Sequence, residues 1–249
     1  MNLGNSWISA TKDLKVIIRK RTIRYTIIIL PLLISILFPL VIKFEGNRNR
    51  GIPAAVLPGL LNSFSFFFVI IAALLPTPIA SYSIVGEKVE KSLEPLLATP
   101  TTDGEILLGK SIAAFLPTII ATHAGATIFM ILTDNVTHRT LGYLYFPNWA
   151  IGVILLLLAP LAAVLSVELN VIASARVSDV RAAPQLGALM FLPFMALYVA
   201  GEIGLVLLDT NNLLLISAMS QRLIWFFFGL ARLLSGEKRF SQNGSKALG

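Results

Sequence analysis

Two long stretches of this chain carry no charged side chain, and a short segment dense in charge separates them. From Gly51 to Gly86, 36 residues contain no Asp, Glu, Lys or Arg, and from Ser111 to Thr133 another 23 contain none. Each exceeds the roughly 20 apolar residues that carry a helix across a bilayer. Between them lies the 25-residue segment GEKVEKSLEPLLATPTTDGEILLGK, Gly86 to Lys110, which holds eight charged residues. Charge at that density is costly in hydrocarbon, so the segment is expected to face water between two crossings. Only 13% of the 249 residues are charged, against about 25% in soluble domains. The expectation is an all-α integral membrane protein.

Charge-free windows predict six crossings, at about Tyr25–Ile42, Leu60–Val85, Ile106–Leu132, Trp149–Ile172, Leu186–Leu208 and Leu213–Leu233. Pro53 and Pro58 argue against helix before Leu60. The organisation expected is a 1–24 N-terminal segment, a 25–234 six-helix domain with loops at 86–105 and 173–185, and a flexible 235–249 tail. The segment before the first crossing mixes Trp7, Ile8, Leu14, Val16, Ile17 and Ile18 with basic residues. That mixture predicts an interfacial helix lying along the membrane. A cleavable signal is not expected, because no small-residue cleavage site follows Val41.

The distribution of Lys and Arg predicts orientation. With the N-terminus cytoplasmic, fifteen of the 20 fall inside; Lys43, Arg48, Arg50 and Arg139 fall outside, and Arg222 falls within a helix. That bias places both termini and the 86–110 segment in the cytoplasm. The net charge of +7 is therefore a membrane-flank signature, and nucleic acid is not expected as a partner. Cysteine is absent, which excludes disulfides and thiolate chemistry.

Within the charged segment, Val89, Leu93, Leu96 and Leu97 recur at helical spacing, with Glu87, Lys88, Glu90, Lys91 and Glu94 on the remaining surface. Pro95 falls inside this pattern, and Thr99-Pro100 ends it. Thr102-x-x-Glu105 reads as a capping box opening the next helix. Gly104 to Ser111 fits the nucleotide-binding pattern G-x-x-x-x-G-K-[ST]. That pattern cradles phosphate only as a loop between a strand and a helix, and here it leads into a membrane span. The chain is not expected to bind ATP.

The run from Glu87 to Pro100, with Glu105-Ile106-Leu107-Leu108-Gly109-Lys110 following, resembles the first cytoplasmic loop of the ABC type-2 permease family. Ser174 to Gln185, containing Arg176, Asp179 and Arg181, resembles that family's second cytoplasmic loop. The resemblance implies a permease subunit of an ATP-driven transporter, most simply an exporter in the cell membrane. It implies a cytoplasmic coupling helix that docks on an ATP-binding subunit. The contact residues would be Glu87, Lys88, Glu90, Lys91, Leu93, Glu94, Leu96, Leu97, Pro100, Arg176, Asp179 and Arg181. It further implies two ATP-binding subunits, which would hold ATP and Mg, and a second permease subunit. No cofactor is expected in this chain. The alternatives are an intramembrane lipid-modifying enzyme and an ATP-independent channel or scaffold.

Ionisable residues within spans default to function. Glu202 and Arg222 are expected to pair across adjacent helices or to line the pathway. Glu168 is expected to snorkel or cap near the cytoplasmic end, and His123 to hold a structural hydrogen bond. Ala121-x-x-x-Gly125 and Thr122-x-x-x-Ala126 are small-residue spacings that suit close helix contact, a weak signal for a dimer seam. Asn135-Val-Thr137 is a glycosylation sequon on the predicted outer side.

Overall fold

The computed structural model describes residues 3–46, 52–80, 103–176, 185, 192–202 and 211–223, and these are helical with short connections. Helix α1 spans Leu3–Arg19 and α2 spans Arg21–Gly46. Helix α3 spans Leu57–Leu74, and helical backbone resumes through Ala80. Helix α4 spans Asp103–Leu141. Helix α5 spans Trp149–Val153 and runs through a π-helical turn, Ile154–Leu158, into α6, Ala159–Arg176. Helix α7 spans Leu192–Glu202, and residues 211–223 are helical.

Four of these stretches are long and apolar enough to cross a bilayer: Arg21–Gly46, Leu57–Ala80, Gly104–Leu141 and Trp149–Val171. They coincide with the first four expected crossings. The expected fifth and sixth are represented by Leu192–Glu202 and residues 211–223, so six crossings are not established.

Several boundaries differ from expectation for identifiable reasons. Helix α3 starts at Leu57, before Leu60, because Pro58 sits in the first turn, where its missing N–H has no helical acceptor to lose. Helix α2 starts at Arg21, inside the segment expected to end at residue 24. Helix α4 starts at Asp103 and so takes in the end of the 86–105 loop, while α6 runs to Arg176 and takes in the start of the 173–185 loop. The π turn precedes Pro160, and in it the N–H of Ala159 reaches back to Ile154 O. A wider turn accommodates a ring that would otherwise press on the preceding turn.

Helix α3 is the centre of the bundle: 72% of its apolar window is buried, against 28% for α2 and for α4. Leu61, Phe66, Phe68 and Val69 are fully enclosed. Aromatic pairs join neighbouring helices around it. Phe64 stacks on Phe38 of α2 at 4.3 Å, Phe68 meets Phe129 of α4 at 5.5 Å, and Phe67 meets Tyr198 of α7 edge-on at 4.6 Å. Each pair adds a modest increment beyond area burial.

Polar groups fix the helix registers. Ser166 Oγ of α6 donates to Ala73 O of α3, and Asn170 Nδ2 reaches Thr77 Oγ1 at 3.2 Å. These bonds fall where Pro76 and Pro78 remove two backbone donors from the helix. Ser35 Oγ of α2 lies 2.6 Å from Gly125 O of α4. A Cβ on Gly125 would stand 2.7 Å from Pro31 Cβ, so the glycine is what lets α2 and α4 approach. The small-residue spacing in α4 is thus used within the chain, against α2, with Ala126 enclosed in the core.

Candidate coupling face and intramembrane polar groups

Helix α1 braces the start of α4. Gly109 sits under it: a Cβ there would stand 2.7 Å from Ser6 O and 2.8 Å from Ser9 Cβ. The next residue, Lys110, places Nζ 3.4 Å from Asp13 Oδ2, with side-chain exposures of 3% and 10%. Glu105 and Ile106 are also buried. The charged segment expected to face water from Gly86 to Lys110 therefore ends earlier on its C-terminal side. Its last residues form the opening turns of α4, because a small glycine and a carboxylate on α1 permit close packing and neutralise the lysine. Gly104 to Ser111 is helical throughout, which is not the geometry of a phosphate loop.

The cluster beneath α1 gathers five chain segments. Ala10 and Ile17 of α1 and Ile23 and Ile27 of α2 pack with Ile79 and Ala80, with Ala113 and Ala114 of α4, and with Val167 of α6; Val171 packs against its edge. Ala80 precedes the first expected loop and Asp103 follows its central part, while Val171 lies five residues before Arg176. The stems of both loops accordingly leave the bundle from one packed end.

The expected contact residues Glu87, Lys88, Glu90, Lys91, Leu93, Glu94, Leu96, Leu97 and Pro100 lie outside the described residues, as do Asp179 and Arg181. Arg176 is the last residue of α6, and its side chain is outside the described set. So is the side chain of Glu202, at the end of α7. Arg222 is exposed, on a segment that buries Leu213, Ser217 and Ser220 instead.

His123 forms the structural bond expected of it, its Nδ1 lying 2.9 Å from Ile119 O one turn back. Glu168, expected to snorkel or cap, is half-buried. Its Oε2 is shielded from solvent and has no hydrogen-bond partner among the described residues, and the same holds for Thr122 Oγ1 and Thr133 Oγ1. The sequon is a poor acceptor site in this fold, because Asn135 to Thr137 lies inside α4 and Thr137 is buried, with its hydroxyl on Thr133 O.

Sequence reasoning missed the polar clasp at the opposite end of the bundle. Asp134 Oδ1 accepts from the backbone N–H groups of Tyr145 and Phe146, at 3.0 and 3.1 Å. Tyr145 donates its hydroxyl to Pro58 O at 3.0 Å and lies 2.9 Å from Asn62 Oδ1. Burial pushes the Tyr145 phenol above its ordinary pKa. Asn148 caps α5 through Ile151 N–H at 2.9 Å. The signal available was Asn148 three residues before Ile151, a cap position ahead of an apolar run.

A central helix wrapped by long apolar neighbours defines a multi-pass helical membrane protein. Residues 7–229 match the family described as ABC-2 family transporter protein, and the chain belongs to that family. The family comprises membrane permease components of ABC transporters, which generally work with ATP-binding subunits and are not themselves catalytic. No curated protein matches the chain.

Proposed function

We propose that this chain is the membrane-spanning subunit of an ATP-driven exporter in the cell membrane, with both termini cytoplasmic. Two ATP-binding subunits dock on the 86–105 and 173–185 loops and hold the ATP and Mg, and this chain carries no cofactor of its own. The observation that most supports the reading is the cluster under α1, from which the stems of both loops emerge. A partner docked on either loop would push on α3, α4 and α6 together. Rigid helices packed this way transmit a displacement, and ATP-driven changes in the partner then bias the permease between two arrangements.

A second permease subunit, identical or closely related, completes the pathway. Arg222 supports this, because an arginine exposed on an apolar segment is costly against hydrocarbon and calls for a polar cover. Its exposure favours pathway lining or a contact with the second subunit over a buried pair with Glu202.

The test is co-purification. Leu93→Asp with Leu96→Asp places carboxylates where the docking helix is expected to bury apolar side chains, which costs several kcal/mol at an interface core (about 2–4 for a well-buried anchor). The expected result is loss of the ATP-binding subunit from a permease that still inserts. Full assembly and full transport in that variant would reject the docking role. Single cysteines at Ser92 and Ser178 should react with an impermeant reagent only after permeabilisation, and those at Asn49, Asn135 and Asn211 from outside.

A further inference from the structure

Helix α1 meets the bundle along a narrow stripe. Ser6, Ala10, Asp13 and Ile17 are buried, at i, i+4, i+7 and i+11. The stripe beside it is open at both ends, while Leu14 in its middle packs on the cluster under α1. Trp7 and Ile18 are 57% and 58% exposed, and with Thr11 and Leu14 they form one stripe at the same spacing. Lys12, Lys15 and Arg19 form the adjoining stripe at i, i+3 and i+7, and all three are exposed. Ile8, one turn before Lys12 on that same row, is 70% exposed.

The direction of α1 follows from what it touches. Ser6 lies against Gly109, and Asp13 pairs with Lys110, the very next residue of α4. Those seven residues of α1 cover roughly 10 Å along its axis, while the partner on α4 advances by one position. Helix α1 therefore crosses α4 instead of running beside it. Helix α2 begins at Arg21, two residues after α1 ends, and then follows α4 from the Ile23 and Ile27 contacts to Gly125. With α2 and α4 across a bilayer, α1 lies in the membrane surface at the level where α2 enters. Arg21 and Arg24 are exposed at that elbow, and the Arg24 guanidinium stands 5.6 Å over the Tyr25 ring.

We propose that the outer face of α1, from Trp7 to Arg19 and continued by Arg21 and Arg24, seats on anionic phospholipid headgroups of the leaflet that α2 enters. The inference rests on the function proposed above only in placing α2 and α4 across a bilayer. Trp7, Ile8 and Ile18 supply the shallow apolar insertion of a surface helix, and the basic row supplies the charge preference. A zwitterionic headgroup offers the same apolar contact without net charge. Each Lys or Arg held near an anionic surface strengthens attachment by about fivefold, and the gain is screened by salt. A protein partner is the competing occupant. The basic row runs up to a membrane-entering helix, with Arg19 two residues before α2 and Lys12 and Lys15 within about three turns of it, and that placement favours lipid.

The experiment uses the full-length chain with Trp149→Phe and Trp225→Phe, so that Trp7 is the sole tryptophan reporter. It is incorporated in nanodiscs of mixed phosphatidylcholine and phosphatidylglycerol in which one lipid or the other, at equal fraction, is brominated. Brominated phosphatidylglycerol is expected to quench Trp7 more strongly than brominated phosphatidylcholine. Lys15→Glu with Arg19→Glu should abolish that difference, and so should high salt, while Lys15→Arg with Arg19→Lys should keep it. Equal quenching by the two lipids would overturn the charge preference. An incorporated chain whose Trp7 is quenched by neither lipid would overturn the proposal and assign the face to a protein partner, leaving the membrane reading intact. A chain that does not enter nanodiscs would overturn both.

Discussion

Lys110 of α4 and Asp13 of α1 form a buried ion pair, Nζ to Oδ2 3.4 Å, at the point where the N-terminal helix crosses the start of a membrane span. The pair is the electrostatic half of a joint whose steric half is Gly109. Desolvating two charges costs about as much as their attraction returns, so the pair does not add large net stability. It does set a register, because either charge left alone at that site is strongly unfavourable.

The first prediction follows from that asymmetry. Asp13→Ala removes one charged partner from the buried Lys110, and a loss of stability is expected, read as a fall in the melting temperature of the detergent-purified protein. Asp13→Leu with Lys110→Met should recover most of it. A double-mutant cycle with additive losses would show that the two side chains do not interact.

At Gly109, alanine places a methyl group under 3.0 Å from the backbone of Ser6 and from Ser9 Cβ. Backbone cannot swing aside as a flexible side chain can, so α1 must lift. Gly109→Ala is expected to cost about 1–3 kcal/mol and to open α1 to limited proteolysis. Gly104→Ala is the control, since a Cβ there meets nothing within 4 Å. Equal protease sensitivity in the two variants would contradict the close approach.

The α2–α4 crossing predicts a graded pair of effects. Ser35→Ala removes the 2.6 Å hydroxyl bond to Gly125 O but keeps the close approach, and should cost about 0.5–1 kcal/mol. Gly125→Leu cannot be accommodated against Pro31 and should prevent a stable fold, seen as aggregation on size-exclusion chromatography. A monodisperse, heat-stable Gly125→Leu protein would show that α2 and α4 are not in contact there.

Alkaline titration probes the opposite end. Burial raises the Tyr145 pKa, so the fold holds the neutral phenol more firmly than the unfolded chain does. That contribution is complete below the unfolded value of about 10 and declines as pH rises through the higher folded value. Melting temperature should therefore fall more steeply above about pH 10 in the wild type than in Tyr145→Phe, which has no phenol to ionise. At neutral pH the phenylalanine variant should be less stable by about 1 kcal/mol, from loss of the bonds to Pro58 and Asn62. Parallel pH profiles would show that the clasp carries no titrating group.

Much of this protein is legible in its sequence, for a physical reason. Transfer of a segment into a bilayer depends on its own side chains, so charge-free windows locate spans without knowledge of neighbours. The first four windows coincide with the four long apolar helices, and the loop motifs led to the family that the 7–229 match establishes. The errors fall where a residue's meaning depends on what lies across from it. Lys110 reads as a solvated charge until Asp13 is placed beside it. The glycine spacing at Ala121 and Gly125 serves a neighbour of the same chain or of another equally well in sequence terms, and only packing assigns it to α2. For Glu168 the sequence gives a depth along the helix, but not that packing shields Oε2. Partition between water and lipid is local and additive along the chain, and so the sequence alone determined the class and the spans. Helix contact, ion pairing and burial are relations between distant residues, and only the tertiary structure decided them.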